Sequence, residues 1–132
     1  MLKILIVDDD LMVARSLSRR MITKYDVTIE SDAAAAIAQI ASADLAGQPY
    51  DVVVSDLRMP RSSGLEIARA ARTHRDPPIF ILASGSEPIG DCSAVDGFVM
   101  KPFCSDDLHV LIATLRDTRS HATTQRIRCV VA

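Results

Sequence analysis

Between Tyr50 and Pro60 the chain reads YDVVVSDLRMP, with three consecutive valines and a serine leading into Asp56 before Pro60 closes off regular structure. A short, bounded, β-branched run such as Asp51–Ser55 predicts a strand buried on both faces, the kind found in parallel sheets. The functional crevice of such a sheet lies just beyond the carboxyl ends of its strands. Asp56 therefore stands where an open α/β fold presents its chemistry. A carboxylate at the end of a buried strand costs free energy unless a cation or hydrogen-bond donors meet it. Asp56 needs partners from elsewhere in the chain.

Four more runs match the first. Leu2–Val7 predicts a strand ending at Asp8, Asp9 and Asp10, and Tyr25–Glu30 a second strand by its alternation. Ile79–Ala83 is a further buried strand, and Gly97–Met100 a short last one ending at Lys101-Pro102. Helices fit between them. Asp10 or a neighbour caps the first, with Val13, Leu17, Met21 and Ala14 inward and Arg15, Arg19 and Arg20 toward solvent. Ser31 or Asp32 caps an Ala-rich helix to about Leu45, with Ile37, Ile40 and Ala41 inward, before Gly47-Gln48-Pro49 breaks it. Gly64–Thr73 forms a third helix on Leu65, Ile67 and Ala68. A last helix, capped by Ser105 or Asp106, buries Leu108, Leu111, Ile112 and Leu115. The segment Ser84–Asp96, rich in Gly, Ser and Pro, supports only a weak helix. Alternating strands and helices imply an α/β doubly wound, five-stranded parallel sheet with right-handed crossovers.

At 132 residues the chain is expected to hold one domain over 1–118, with 119–132 a tail whose apolar end IRCVVA offers a dimer contact or a sheet edge. Aromatic residues make up only 4%, so the core must be aliphatic. A net charge of −2 argues against bulk electrostatic binding to nucleic acid. The opening MLKILIVDDD has too short an apolar run for a signal peptide or a membrane span. Cys92, Cys104 and Cys129 are odd in number and lack metal-ligand spacing, so they read as free thiols in a reducing compartment. The expectation is a soluble cytoplasmic protein.

Three strands end in charge: Asp8-Asp9, Asp56 and Lys101. In a parallel sheet these ends share one edge. Several carboxylates within a few ångströms cannot all stay ionised without a cation, and an oxygen-only site with room for water suits Mg²⁺ better than zinc. Phosphoryl transfer is the chemistry that needs such a site, with a carboxylate as nucleophile and Mg²⁺ and a lysine neutralising the transferred oxygens.

The set Asp8-Asp9, Asp56 in DLRMP with Gly64 downstream, and Lys101-Pro102-Phe103 resembles the receiver domain of two-component response regulators, over about Lys3 to Leu115. The resemblance implies a flavodoxin-like, CheY-like fold with a short or degenerate fourth helix. It implies that Asp56 is the phosphoacceptor for a sensor histidine kinase or phosphotransfer protein, with an unidentified downstream protein reading the result. Asp9, Asp56 and the Arg58 backbone carbonyl would ligate Mg²⁺, with Asp8 acting through water. Lys101 would pair with a phosphoryl oxygen, Phe98 would be the aromatic switch, and Pro102 would follow a cis peptide bond. The resemblance is to a signalling switch, not an enzyme, that at most phosphorylates and dephosphorylates itself.

The sequence departs from the family where a Thr or Ser normally ends the fourth strand. Counting from Pro78 puts Ala83 there and Ser84 one place later. Either Ser84 fills the role or the hydroxyl is absent. Simpler readings stand beside these. Asp8–Asp10 would also suit a helix N-terminus, Phe98 a core position, and Ser84 and Ser86 a turn. His74, His109 and His121 show no partner in spacing and are assigned no role, and Arg126 and Arg128 are read as solvated. Two other functions compete: a pseudo-receiver that only binds partners, and a small carboxylate-nucleophile phosphatase using the Asp-x-Asp of Asp8-Asp9-Asp10.

Overall fold

The computed structural model describes residues 1–88 and 90–121. In chain order its elements are β1 (Leu2–Val7), α1 (Leu11–Met21), β2 (Tyr25–Glu30), α2 (Ala33–Leu45), β3 (Val52–Asp56), β4 (Arg58–Met59), β5 (Ser62–Ser63), α3 (Gly64–Ala71), β6 (Ile79–Ser84), β7 (Gly97–Met100) and α4 (Ser105–His121). The short β-branched runs become strands because buried backbone must pair and these side chains pack well on a pleated surface. Five strands form one parallel sheet in the order β2-β1-β3-β6-β7. Every carboxyl end therefore lies on one edge. The fold is the doubly wound α/β sheet that the alternation of runs implies.

Side chains alternate across a strand, and the core divides accordingly. Ile4, Ile6, Val52, Val54, Ile79 and Ile81 pack with Ala14, Met21, Leu108 and Leu111 from α1 and α4. Leu5, Val7, Val53, Phe80 and Leu82 pack on the other face with Ala36, Ile40, Ile67 and Ala68 from α2 and α3. Among the described residues the buried polar side chains are Asp8, Ser55 and Ser84, all near the carboxyl ends of strands.

Helix starts follow local chemistry. Asp10 caps α1 by accepting hydrogen bonds from the Met12 and Val13 amides, and Asp32 caps α2 through the Ala35 amide. The last helix begins at Ser105, one residue earlier than a Ser105 cap and two earlier than an Asp106 cap would place it. The Asp107 carboxylate turns back to accept from the Cys104 amide at 3.3 Å, as the third residue of a capping box does. The third helix stops at Ala71, short of Thr73, whose hydroxyl donates to the Ala70 carbonyl.

Other expectations need correcting. Val13 is 42% exposed, and the inward face of α1 runs instead through Ala14, Leu17 and Met21. Within α2, Ile40 is buried and Ile37 packs against the core as expected, but Ala33 and Ala36 complete the buried face and Ala41 is only half-buried. The described residues between β6 and β7 contain no helix; a turn closes there as the Val95 amide donates to the Cys92 carbonyl. Nor did the polar stretch after Asp56 announce the small antiparallel hairpin of β4 and β5, which turns at Arg61 with φ 68°. Cys92 is half-buried and Cys104 exposed, both free. The IRCVVA stretch, Cys129, Arg126 and Arg128 lie outside the described residues. No helix among the described residues is long and apolar enough to cross a membrane.

Candidate functional site at the carboxyl edge of the sheet

Counting by twos along each strand assigns the edge residues to a face. Asp8 continues Ile4 and Ile6, Asp56 continues Val52 and Val54, Ala83 continues Ile79 and Ile81, and Lys101 continues Val99. All four fall on the α1/α4 side. They line one end of a cavity of about 560 Å³ whose other walls include Met12, Leu17 and Phe103.

The carboxylates of Asp8, Asp9 and Asp56 each bring an oxygen within 4.8 Å of the others, with Asp8 buried, Asp9 exposed and Asp56 between. The Lys101 ammonium spans two of them, 3.2 Å from Asp8 Oδ2 and 3.4 Å from Asp56 Oδ1. The peptide bond from Lys101 to Pro102 is cis. Burial drives the Asp56 carboxyl above its usual range. Lys101 pulls the other way, while Asp8 and Asp9 add to the rise. Burial also disfavours the Lys101 ammonium, but Asp8 and Asp56 outweigh it and hold this lysine above its ordinary value.

The donor set fits a hard divalent cation. It is made of oxygens only, one carboxylate is open to water, and the negative charge exceeds what Lys101 balances. Asp8, Asp9 and Asp56 are the residues that could hold such an ion. Asp10, the other half of the Asp-x-Asp, is committed elsewhere, since its Oδ1 accepts from the Met12 and Val13 amides at 3.0 and 3.4 Å. Asp10 thus stands outside the cluster of three carboxylates, which Asp56 completes.

Gly64 fixes the approach of α3 to this edge. A Cβ at Gly64 would sit 2.5 Å from the Asp56 carbonyl oxygen and 2.6 Å from Leu82 Cδ2, so only glycine lets the helix begin there. Its amide donates to the Leu57 carbonyl at 2.8 Å, and Ser55 Oγ donates to the Asp56 carbonyl at 2.9 Å.

Ala83 and Ser84 occupy different faces. Ala83 pairs in register with Asp56 and shares its cavity. Ser84 continues Phe80 and Leu82 on the α2/α3 side, where its Oγ accepts from the Ser86 amide at 3.2 Å. The methyl group, not the hydroxyl, stands beside Asp56. Phe98 is fully buried in the α2/α3-side core, paired with Leu82. Arg58 is exposed, and its Nη2 donates to Ser86 Oγ at 3.5 Å.

Two histidines assigned no role have partners after all. Tyr25 and His109 stack with ring centroids 5.4 Å apart, their Oη and Nδ1 at 3.0 Å, and His74 Nδ1 lies 3.3 Å from Asp44 Oδ2. Each pair joins elements far apart in sequence, so no local spacing signals it. The side chain of His121 is not described.

The family model for the response regulator receiver domain matches residues 4–113. Response regulator ArlR of Staphylococcus epidermidis is 33% identical over 121 residues, 88% of this chain and 52% of the relative. Response regulator MprA of Mycobacterium avium is 38% identical over 125 residues, 89% of this chain and 53% of the relative. The chain thus spans about half the length of the curated relatives it matches. Among solved structures, a chain from the complex of histidine kinase ThkA with response regulator protein TrrA superposes with a TM-score of 0.73 at 29% identity. That match covers 87% of this chain and 98% of the other.

Proposed function

Because the chain belongs to the response regulator receiver domain family of two-component signalling, we propose that Asp56 accepts a phosphoryl group from the phosphohistidine of a sensor histidine kinase or phosphotransfer protein. The family is one of signalling domains, not of classical enzymes. An Asp56 carboxylate oxygen attacks phosphorus, the phosphorus–nitrogen bond breaks, and the imidazole leaves as the acyl phosphate forms. Asp9, Asp56 and the Arg58 carbonyl would hold Mg²⁺, with Asp8 acting through water. When bound, that ion neutralises charge on the transferring oxygens. Lys101 gives its ammonium to a phosphoryl oxygen once Asp56 is esterified, keeping Asp8 as its other partner. At most the domain phosphorylates itself from a small phosphodonor and dephosphorylates itself.

The observation that supports this reading is the meeting of Asp8, Asp9 and Asp56 with Lys101 at 3.2 and 3.4 Å, on residues from three different strand ends. The phosphoryl group biases an equilibrium between two surface arrangements, which a downstream protein or a second copy of the chain reads in the cytoplasm, with no direct contact to nucleic acid. Ala83 gives the output a character of its own. Ala83 puts no hydroxyl at the register position beside Asp56, and Ser84 Oγ accepts from the Ser86 amide on the other face, so Phe98 is left as the aromatic switch candidate. Intact-mass spectrometry after incubation with acetyl phosphate and Mg²⁺ tests the reading. Wild type gains one phosphoryl mass and Asp56→Asn gains none; a gain that persists in the variant overturns it.

A further inference from the structure

Phosphorylation adds about −1.5 to −2 charges and three acceptor oxygens at an edge already carrying Asp8 and Asp9. Lys101 already divides its contacts between two carboxylates. The residue opposite Asp56 in the ladder is Ala83, which has no donor, and the Ser84 hydroxyl lies on the other face. Among the described residues Lys101 is thus the one cation in ion-pair contact with these carboxylates, and no side-chain hydroxyl stands at the Asp56 register position to share the added charge.

We propose that the Arg58 guanidinium supplies a second cation, leaving Ser86 to bind the phosphoryl group directly; this rests on Asp56 being the phosphoacceptor. The backbone brings Arg58 to the right edge. Leu57 donates its amide to the Ala83 carbonyl at 3.2 Å, so the hairpin opens beside the end of β6, and Arg58 is its first residue. Leu57 and Met59 are buried while Arg58 is exposed, which leaves its side chain free to swing over the rim. Its resting contact, Nη2 to Ser86 Oγ, is exposed and 3.5 Å long, at the outer limit for a hydrogen bond. Breaking it costs little. A charge-assisted bond from a guanidinium to a phosphoryl oxygen is shorter and stronger, and its planar fork can hold two oxygens. The exchange also releases Ser86, whose amide is held by Ser84 Oγ and whose segment is tied to the Lys101 amide through the Ser84 carbonyl at 2.7 Å. Arg58 thereby links the charge state of Asp56 to the chain that follows β6.

Binding of fluoroberyllate, a phosphoryl mimic, in the presence of Mg²⁺ tests this by fluorine NMR titration and thermal shift. Arg58→Ala is expected to weaken binding about tenfold or more, with Arg58→Lys recovering part of the loss. Installing the missing hydroxyl should make the arginine redundant: in an Ala83→Ser background, Arg58→Ala costs less than about threefold. Ser86→Ala binds at least as tightly as wild type, because it only frees the guanidinium. Wild-type affinity in Arg58→Ala, or an equal loss in Ser86→Ala, overturns the proposal. Undiminished binding to Asp56→Asn instead overturns the phosphoacceptor reading beneath it.

Discussion

Gly64 opens its helix directly against the backbone of Asp56, so close that a methyl group there would stand 2.5 Å from the Asp56 carbonyl oxygen. The Leu82 tip on the other side can shift, but a carbonyl fixed in the sheet cannot. Gly64→Ala is therefore expected to cost about 1–3 kcal/mol of stability by overpacking and to displace the Asp56 strand end. Gly85→Ala is the control, since a Cβ at Gly85 meets nothing within 4 Å. Urea denaturation of both variants checks the contrast; equal midpoints would contradict it.

Asp56 makes the fold pH-sensitive in an unusual direction. Burial holds its folded pKa above the ordinary carboxylate value despite Lys101. The folded state thus prefers the protonated form. The resulting destabilisation is absent below the unfolded pKa, grows as pH rises toward the folded pKa, and is complete above it. Asp56→Asn removes it. The variant should melt higher than wild type at neutral pH, by about 4 °C for each kcal/mol recovered, and the difference should close as pH falls into the ordinary carboxylate range. A gap that stays constant with pH would speak against this origin.

Mg²⁺ should stabilise the domain through the same carboxylates. At a hundredfold its Kd a ligand that binds only the folded state adds about 2.7 kcal/mol. Asp9 is exposed and contributes little to the core, so Asp9→Asn should fold normally yet need about tenfold more Mg²⁺ for the same thermal shift. Differential scanning calorimetry across a Mg²⁺ series measures both. An unchanged Mg²⁺ response would remove Asp9 from the ligand set.

The Tyr25–His109 pair should matter for stability alone. Tyr25 begins β2, at the end of the sheet opposite the acidic edge. Tyr25→Phe keeps the ring stack and should lose about 1 kcal/mol for the hydrogen bond; His109→Ala loses the stack as well, about 0.5–1.5 kcal/mol more. A double-mutant cycle gives their coupling. A changed Mg²⁺ affinity in either variant would show that the pair reaches the acidic site.

The five strands of the main sheet were legible because each is a short apolar or alternating run bounded by polar or turn residues, and the strand period of two then decides which face every edge residue takes. Asp8, Asp56 and Lys101 follow from that counting alone once the sheet is parallel. The same count separates Ala83 from Ser84, but only after pairing aligns β6 with β3, which composition does not supply. Helix faces were less readable. The apolar stripe on α1 is wider than its buried face, because Val13 lines the cavity mouth and not the core, and periodicity does not distinguish the two. The contacts of His74 and His109, and of Arg58 with Ser86, arise from tertiary placement with no sequence neighbour to announce them.

Polar side chains go below the surface only where strands end, at Asp8, Ser55 and Ser84 among the described residues. What holds the molecule together and what gives it reactivity thus occupy separate volumes, hydrocarbon beneath and charge along one lip. Charges along that lip can be exchanged without asking the aliphatic interior to repack.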